Sequence, residues 1–186
     1  MKIAIGITGA SGAIYGIRLL EELKSLNVET HLTISTWGEY TITEETNWSV
    51  EKVKNLAAFY HEEKDMAACI SSGSFPLDAM AIVPCSMKTL AGIASGFTDG
   101  LIIRTADVCL KERRKLILLT RETPLSEIHL ENMLKLTRAG AIIMPPVPAF
   151  YTKPASVQEL VDQTVFRLLD LLKLHSPALK QWNDKT

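Results

Sequence analysis

The sequence predicts an α/β protein in which a doubly wound, mostly parallel sheet lies between two layers of helices. Residues 3–7 and 79–83 are apolar at nearly every position, which is typical of strands buried on both faces of a parallel sheet. Amphipathic helical patterns separate such runs, as in residues 14–23. This alternation predicts a three-layer fold of the Rossmann or flavodoxin type.

The predicted elements follow one another in the order β-α-β-α-(α)-β-α-α-β-α-β-α. The strands are expected at residues 3–7, 28–35, 79–83, 115–120 and 141–144. The helices are expected at residues 14–23, 37–46, 50–58, 90–95, 101–114 and 126–139, and from about residue 155 onward. Residues 61–65 are the most polar stretch and are predicted to form a surface loop.

The last helix has the clearest pattern in the chain. Ser156 and Glu159 have the spacing of a capping box. Apolar residues recur behind them at helical spacing, namely Val157, Leu160, Val161, Val165, Leu168, Leu169 and Leu172. Arg167 lies at the edge of this apolar face. With no repeat or linker, residues 1–186 are predicted to form one domain that ends in this helix.

Composition excludes several classes of protein. A net charge of −1 indicates neither a nucleic-acid partner nor a membrane surface, and no apolar run reaches the roughly 18 residues of a membrane span. The three cysteines have no C-x-x-C spacing, which favours a reducing compartment. The four histidines are scattered, so no metal site is predicted. These features predict a cytoplasmic protein.

The turn at residues 8–13 is the first candidate binding site. It contains only small residues and joins a buried strand to a helix start, an arrangement that presents backbone N–H groups to an anion. Its glycines do not have the G-x-G-x-x-G spacing, and the second strand ends in Ile34, Ser35 and Thr36 rather than in a carboxylate. A mononucleotide phosphate or ribityl chain therefore suits this turn better than a dinucleotide.

A second such turn, at residues 84–89, follows the strand at 79–83, and ligands of α/β sheets bind where these strand ends meet. The polar side chains expected near this edge are Ser11, Ser35, Glu45, Ser72, Ser86, Lys88, Thr89, Arg104, Lys111, Arg121, Glu122, Tyr151 and Arg167. The cations among them exceed the need of one neutral ligand and suggest two phosphates. Glu122 is either an acid/base candidate or a surface carboxylate paired with an arginine, whereas Cys85 is more typical of a core residue than of a nucleophile.

Motifs along almost the whole chain identify it as similar to a known family. These are TGASGA at 8–13, ISSGSF at 70–75, PCSMKTLAGI at 84–93, RTADVCLKERRKL at 104–116, TRETPLSEIHLENML at 120–134 and MPPVPAFY at 144–151. Together they resemble the UbiX family of flavin prenyltransferases, in particular the branch that accompanies phenolic acid decarboxylases.

The resemblance implies an enzyme that joins a dimethylallyl group, taken from dimethylallyl monophosphate, to N5 and C6 of reduced FMN. The product would serve a UbiD-type decarboxylase. The positions that match FMN-binding residues of the family are Gly9, Ala10, Ser11, Ser35, Ser86, Met87, Lys88, Thr89 and Arg121. Tyr151 and Arg167 match prenyl-phosphate positions, with Arg104 and Lys111 assisting.

The same resemblance implies proton handling by Ser11, Glu45 and Glu122, no metal, and a homo-oligomer, as a dodecamer, with sites at subunit junctions. Two positions depart from the family pattern, of which the first concerns the prenyl pocket and the second favours the phenolic-acid branch. Met66 stands where the family often has an aromatic residue, and Trp37 where ubiquinone-pathway members commonly have a small one.

Three alternatives stay open. An FMN-dependent decarboxylase of peptidyl or pantothenoyl cysteines would have the same fold, but the chain has PCSMKT instead of P-A-S-A-N-T at the second turn. Direct decarboxylation of aromatic acids is the second alternative. The third is a flavin-binding protein without catalytic activity, against which the surplus of cations speaks.

Overall fold

The computed structural model describes residues 1–174 of the chain, and its centre is one six-stranded sheet in the order β3-β2-β1-β4-β5-β6. The strands are β1 Lys2–Ile7, β2 Glu29–Ile34, β3 Phe59–His61, β4 Ala79–Cys85, β5 Lys115–Thr120 and β6 Ile142–Ile143. Every pair of neighbouring strands is parallel. The predicted doubly wound α/β fold is confirmed.

Helices cover both faces of the sheet. They are α1 Ala13–Ser25, α2 Thr36–Glu45, α3 Val50–Lys54, α4 Met87–Ser95, α5 Leu101–Lys111, α6 Glu127–Ala139 and α7 Val157–Leu171. Successive residues of a strand point to opposite faces, so Ile3 and Ile5 pack with α1, α2, α3 and α7, whereas Ala4 packs with α4, α5 and α6. The two apolar cores therefore lie on opposite sides of the sheet.

The region between β2 and β4 differs from the prediction. The helix expected at 50–58 ends at Lys54, and Phe59–His61 forms an unpredicted edge strand, β3, whose last residue was expected to begin the surface loop. A three-residue strand has too few positions to show an alternating pattern. His61 is held there by a 2.9 Å hydrogen bond between its Nε2 and Nδ1 of His31 on β2.

Of the two hydrogen bonds in the capping box predicted at the start of α7, one forms and the other does not. Ser156 Oγ accepts the N–H of Glu159, but the Glu159 carboxylate accepts the N–H of Ala155 at 2.9 Å instead of closing the box on Ser156. A reciprocal capping box forms at the start of α6 instead, between Ser126 and His129. Histidine is not the usual partner in this motif, which is why the sequence pattern missed it.

The order of the strands places a crevice between β1 and β4. The chain leaves β1 towards β2 on one side and leaves β4 towards β5 on the other, so the connections diverge at the carboxyl ends of these two strands. Such a switch point is where open α/β sheets bind ligands. No helix within residues 1–174 is long and apolar enough to cross a membrane.

Candidate functional site

A cavity of about 500 Å³ opens at this switch point. Five of the residues predicted to bind FMN line it, namely Gly9, Ser35, Ser86, Lys88 and Thr89. They come from the ends of three strands that lie far apart in sequence. The cavity is within the size range of small-molecule sites.

Hydrogen bonds fix the two turns against each other. Thr8 Oγ1 donates to the carbonyl of Pro84 at 2.8 Å and accepts the N–H of Ser86 at 2.8 Å, so one hydroxyl joins the end of β1 to the end of β4. Gly9 lies so close to α2 that a Cβ built on it would stand 2.2 Å from Cβ of Trp37. Position 9 of this turn therefore has room for glycine only.

Three helix N-termini converge on the cavity. Ser35 caps α2 by accepting the N–H of Gly38 at 3.1 Å, and Ser86 caps α4 by accepting the N–H of Thr89 at 3.3 Å. Gly100, the N-cap of α5, also lines the wall. Since each helix N-terminus carries partial positive charge, this end of the cavity suits a phosphate.

Several lining residues were not predicted, among them Trp37, Glu63, Asp99 and Ile102. Glu63 belongs to the stretch predicted to be a surface loop, yet burial raises the pKa of its carboxyl to about 7. Its main-chain carbonyl accepts the N–H of Leu101 at 2.8 Å, which draws the stretch onto the start of α5. The polar sequence gave no signal for this contact, because its partner lies 38 residues further along.

Of the residues predicted to handle protons, Ser11 and Glu45 lie at the start of α1, and Glu122 follows Arg121, which contacts the same turn. Glu45, the last residue of α2, accepts the N–H of Gly12 at 2.7 Å through its carboxylate. Arg121, directly after β5, donates from Nε to the carbonyl of Ser11 at 3.2 Å. Glu122 is exposed and accepts the N–H of Thr123 at 3.0 Å. This group contains one cation, two carboxylates and a hydroxyl.

Four of the nine predicted FMN residues do not line the cavity, namely Ser11 and Arg121, described above, and Ala10 and Met87. Ala10 is buried within the turn, and Met87 packs against the core on the side of α4 and α5. Met66, aligned with the prenyl pocket, is exposed and also absent from the lining.

The predicted prenyl-phosphate cations lie elsewhere. Arg104 on α5 donates to the Ser71 carbonyl at 3.1 Å and pairs with Asp107 at 2.9 Å. Lys111, at the end of α5, pairs with Glu112, and Arg167 on α7 pairs with Asp170. Tyr151 is exposed in the loop before α7. None of these four residues lines the cavity.

The thiol and imidazole groups offer less chemistry. Cys85 is fully buried, and this burial raises the pKa of its thiol to about 12, which argues against a nucleophile. His31, His61 and Cys69 lie within reach of one another, although the sequence places them far apart. The rings of His31 and His61 are nearly parallel, and Nδ1 of His31 and Nε2 of His61 share a hydrogen bond, so these two nitrogens bind each other rather than a common cation. His175 lies outside the described residues.

A doubly wound sheet with a hydroxyl-lined anion cavity at its switch point defines a nucleotide- or flavin-binding α/β protein. The sequence model of the family described as "Flavoprotein" matches residues 1–169 of the chain. A probable UbiX-like flavin prenyltransferase of Bacillus subtilis (strain 168) is 55% identical over 183 residues, which cover 98% of this chain and 90% of that protein.

Two solved structures are closely similar. The crystal structure of AnUbiX (PadA1) in complex with FMN and dimethylallyl pyrophosphate has a TM-score of 0.97 and 57% identity, covering 100% of this chain and 98% of that one. A dodecameric FMN-dependent UbiX-like decarboxylase from Escherichia coli O157:H7 has a TM-score of 0.97 and 53% identity, covering 98% and 100%. The chain belongs to the flavoprotein family, and within it to the UbiX-like flavin prenyltransferases.

Proposed function

We propose that the chain is a flavin prenyltransferase that joins a dimethylallyl group from dimethylallyl monophosphate to N5 and C6 of reduced FMN. The observation that carries this proposal is the cavity at the switch point, which gathers five predicted FMN residues. It occurs in a chain 57% identical to a protein crystallised with FMN and dimethylallyl pyrophosphate. The proposed prenyl donor is therefore a phosphate ester of dimethylallyl alcohol. The monophosphate is the first donor to be tested.

The cavity fits FMN in the chemistry of its donors. The N-termini of α2 and α4 and the ammonium of Lys88 supply positive charge for the phosphate, and the hydroxyls of Ser35, Ser86 and Thr89 supply hydrogen bonds. Reduced FMN, when bound, supplies the nucleophilic N5 and C6. Arg121, tied to the carbonyl of Ser11, extends the site towards the start of α1.

The residues around α1 handle the protons. Glu122 is exposed directly after β5, and we assign to its carboxylate the proton that the acceptor loses at C6. Glu45 holds the N–H of Gly12, next to Ser11, and so positions that hydroxyl. As the allylic carbon–oxygen bond breaks, negative charge grows on the leaving phosphate, and we assign its stabilisation to Arg and Lys side chains instead of a metal.

Within one chain, the cations predicted to bind the prenyl phosphate do not line the cavity. Arg104 and Lys111 lie on the α5 face of the sheet, and Arg167 lies on the α7 face. Lys111 stands about 15 Å along α5 from the cavity at its start. Arg167 lies near the end of α7, where the Leu171 carbonyl binds Lys115 at the amino end of β5, opposite the cavity. A complete donor site therefore requires residues from other copies.

This separation supports a homo-oligomer, and the dodecamer of the Escherichia coli structure is the expected assembly. We also propose that residues 1–186 form a single flavin-binding domain, that the protein is cytoplasmic, and that a UbiD-type decarboxylase receives the product. Light scattering of the purified protein tests the assembly, and a monomeric mass would contradict it.

The experiment that tests the function is anaerobic incubation of the purified chain with reduced FMN and dimethylallyl monophosphate, followed by mass spectrometry of the extracted flavin. The expected result is a gain of one C5 prenyl unit. A parallel reaction with dimethylallyl diphosphate identifies the preferred donor. Unmodified FMN recovered from folded, FMN-bound protein in both reactions would overturn the proposal.

Direct decarboxylation is the second candidate, because the Escherichia coli structure is described as a decarboxylase. The same protein is incubated with a phenolic acid and FMN but without a partner protein. Release of CO₂ in that reaction, with no prenylated flavin in the first, would favour the decarboxylase.

A further inference from the structure

Glu63 occupies a special position in the wall of the cavity. It follows edge strand β3 by two residues, and its main-chain carbonyl accepts the N–H of Leu101 at 2.8 Å. Its carboxylate lies against Gly100, where a Cβ would stand 2.3 Å from Oε1. Gly100 offers no side-chain cap to α5, so the carboxylate of Glu63 lies where a capping group would stand.

The carboxylate is only partly satisfied there. Its Oε2 is buried and has no hydrogen-bond partner among the described residues. A buried carboxylate oxygen without a donor favours the protonated form, which converts an acceptor into an O–H donor. Burial is the main cause that raises the pKa of Glu63 to about 7.

The charged groups around Glu63 act in both directions. The N–H of Ile102 and the ammonium of Lys88 lower the pKa of Glu63, and Asp99 raises it. Lys64, Lys88 and Asp99 line the same cavity as Glu63. A dianionic phosphate placed among the three helix N-termini would add negative charge close to the carboxylate, and repulsion between like charges favours protonation.

We propose that Glu63 is the proton-binding group of the phosphate end of this cavity, and that FMN binding takes up one proton at its carboxyl. The balance is simple: the carboxylate, one proton and FMN give a neutral Glu63 beside the bound phosphate. The neutral carboxyl no longer repels the phosphate and still occupies the N-terminus of α5. The inference rests on the proposed function, because it requires FMN in this cavity.

The test is isothermal titration calorimetry of FMN into the full-length protein at about pH 8, in two buffers of different ionisation enthalpy. The difference in heat between the buffers gives the protons taken up. The wild-type protein is expected to take up close to one proton, and its FMN affinity to fall up to about tenfold per pH unit above pH 7. Glu63→Gln, which imitates the neutral carboxyl, is expected to take up none at this site and to bind FMN with a flat pH profile.

Glu62→Gln is the matched control, because Glu62 is exposed, adjacent in sequence and absent from the cavity lining. It is expected to keep the proton uptake of the wild type, and circular dichroism and thermal melting verify that both variants fold. The same uptake in Glu63→Gln and wild type would overturn the proposal, since the proton would then reside on the phosphate or elsewhere.

Two further outcomes separate this inference from the proposed function. FMN binding and prenyl transfer without proton uptake by the wild type would overturn the role of Glu63 alone. Absence of FMN binding by the folded wild type would overturn both.

Discussion

The cavity at the carboxyl ends of β1 and β4 and the cations on the helix faces differ in how completely one chain builds them. Residues from the turns after β1, β2 and β4 meet within one cavity, and Thr8 joins the first of these turns to the third. Arg104 and Arg167 instead lie on opposite faces of the sheet, each paired with a carboxylate of its own helix. One chain thus builds the acceptor half of the proposed site, whereas we propose that the donor half needs a second copy.

This difference has an energetic consequence. Hydroxyls and N–H groups held by strand ends and helix caps are preorganised, so they bind a phosphate with little further loss of conformational entropy. Exposed ion pairs such as Arg167 with Asp170 contribute little to stability and exchange partners readily. The cations can therefore change partners when another copy and a donor phosphate approach.

The largest effect is expected for Glu122→Gln, which removes the proposed base while keeping the shape of the side chain. Prenyl transfer should fall by roughly 10²- to 10⁴-fold, with FMN affinity nearly unchanged. Single-turnover mass spectrometry of the flavin measures the first quantity and fluorescence titration the second. The control is Glu131→Gln, which makes the same change at an exposed glutamate on α6. Normal turnover of Glu122→Gln would remove Glu122 from the mechanism.

Arg167→Ala tests whether the donor half can be lost separately. Removal of a charged phosphate contact should lower kcat/KM for the dimethylallyl phosphate by roughly 10- to 100-fold and spare FMN binding. Arg138→Ala, an exposed arginine in the last turn of α6, should change neither quantity. If Arg167→Ala loses FMN binding as well, or loses nothing, the division into two halves is wrong at this residue.

Gly9→Ala tests the acceptor half. The new methyl group would meet Cβ of Trp37 at 2.2 Å, and neither that atom nor the adjacent backbone can swing aside. We expect a cost of about 1–3 kcal/mol, together with a clear loss of FMN affinity as the turn shifts. Gly140→Ala strains a left-handed residue at the end of α6 and should destabilise the protein without weakening FMN binding. Equal FMN affinity in both variants would contradict the assigned role of the turn.

Two serine caps allow a finer comparison. Ser86 caps α4 at the cavity, and Ser126 caps α6 away from it. Either change to alanine should cost about 1 kcal/mol, or about 2–4 °C in Tm. Only Ser86→Ala should also weaken FMN binding, by roughly three- to tenfold. Matching FMN affinities would show that the Ser86 hydroxyl serves the helix alone.

The smallest effect concerns the edge strand that leads to Glu63. Burial, and then the charge of His31, lower the pKa of His61, while Asp65 acts in the opposite direction. The unfolded chain thus binds a proton at His61 more readily, so stability should be full above about pH 6.5 and fall as the pH decreases below it. We expect His61→Gln to reduce the acid-induced fall in Tm by about 2 °C between pH 7 and 5. Glu63 titrates in both proteins, so its contribution cancels in the difference, and identical pH profiles would contradict the prediction.

The sequence by itself determined the fold class and the turns that form the cavity. Strands such as β4 are apolar throughout, and the small residues after β1 are adjacent in the chain, so local pattern carries this information. Motif similarity added the roles of Glu45 and Arg167, which local pattern could not supply. Both roles stay predictions, and Arg167→Ala tests the second of them.

Only the tertiary structure decided which side chains meet. Edge strand β3 is too short to leave a pattern, and its pairing depends on His31, 30 residues earlier. Glu63 looks like a surface residue until the start of α5 folds against it and shields Oε2 of its carboxylate from water. Arg104 and Arg167 lie far apart because α5 packs on one face of the sheet and α7 on the other. Contacts of this kind join residues distant in sequence, and burial, which sets their chemistry, exists only once the chain has folded.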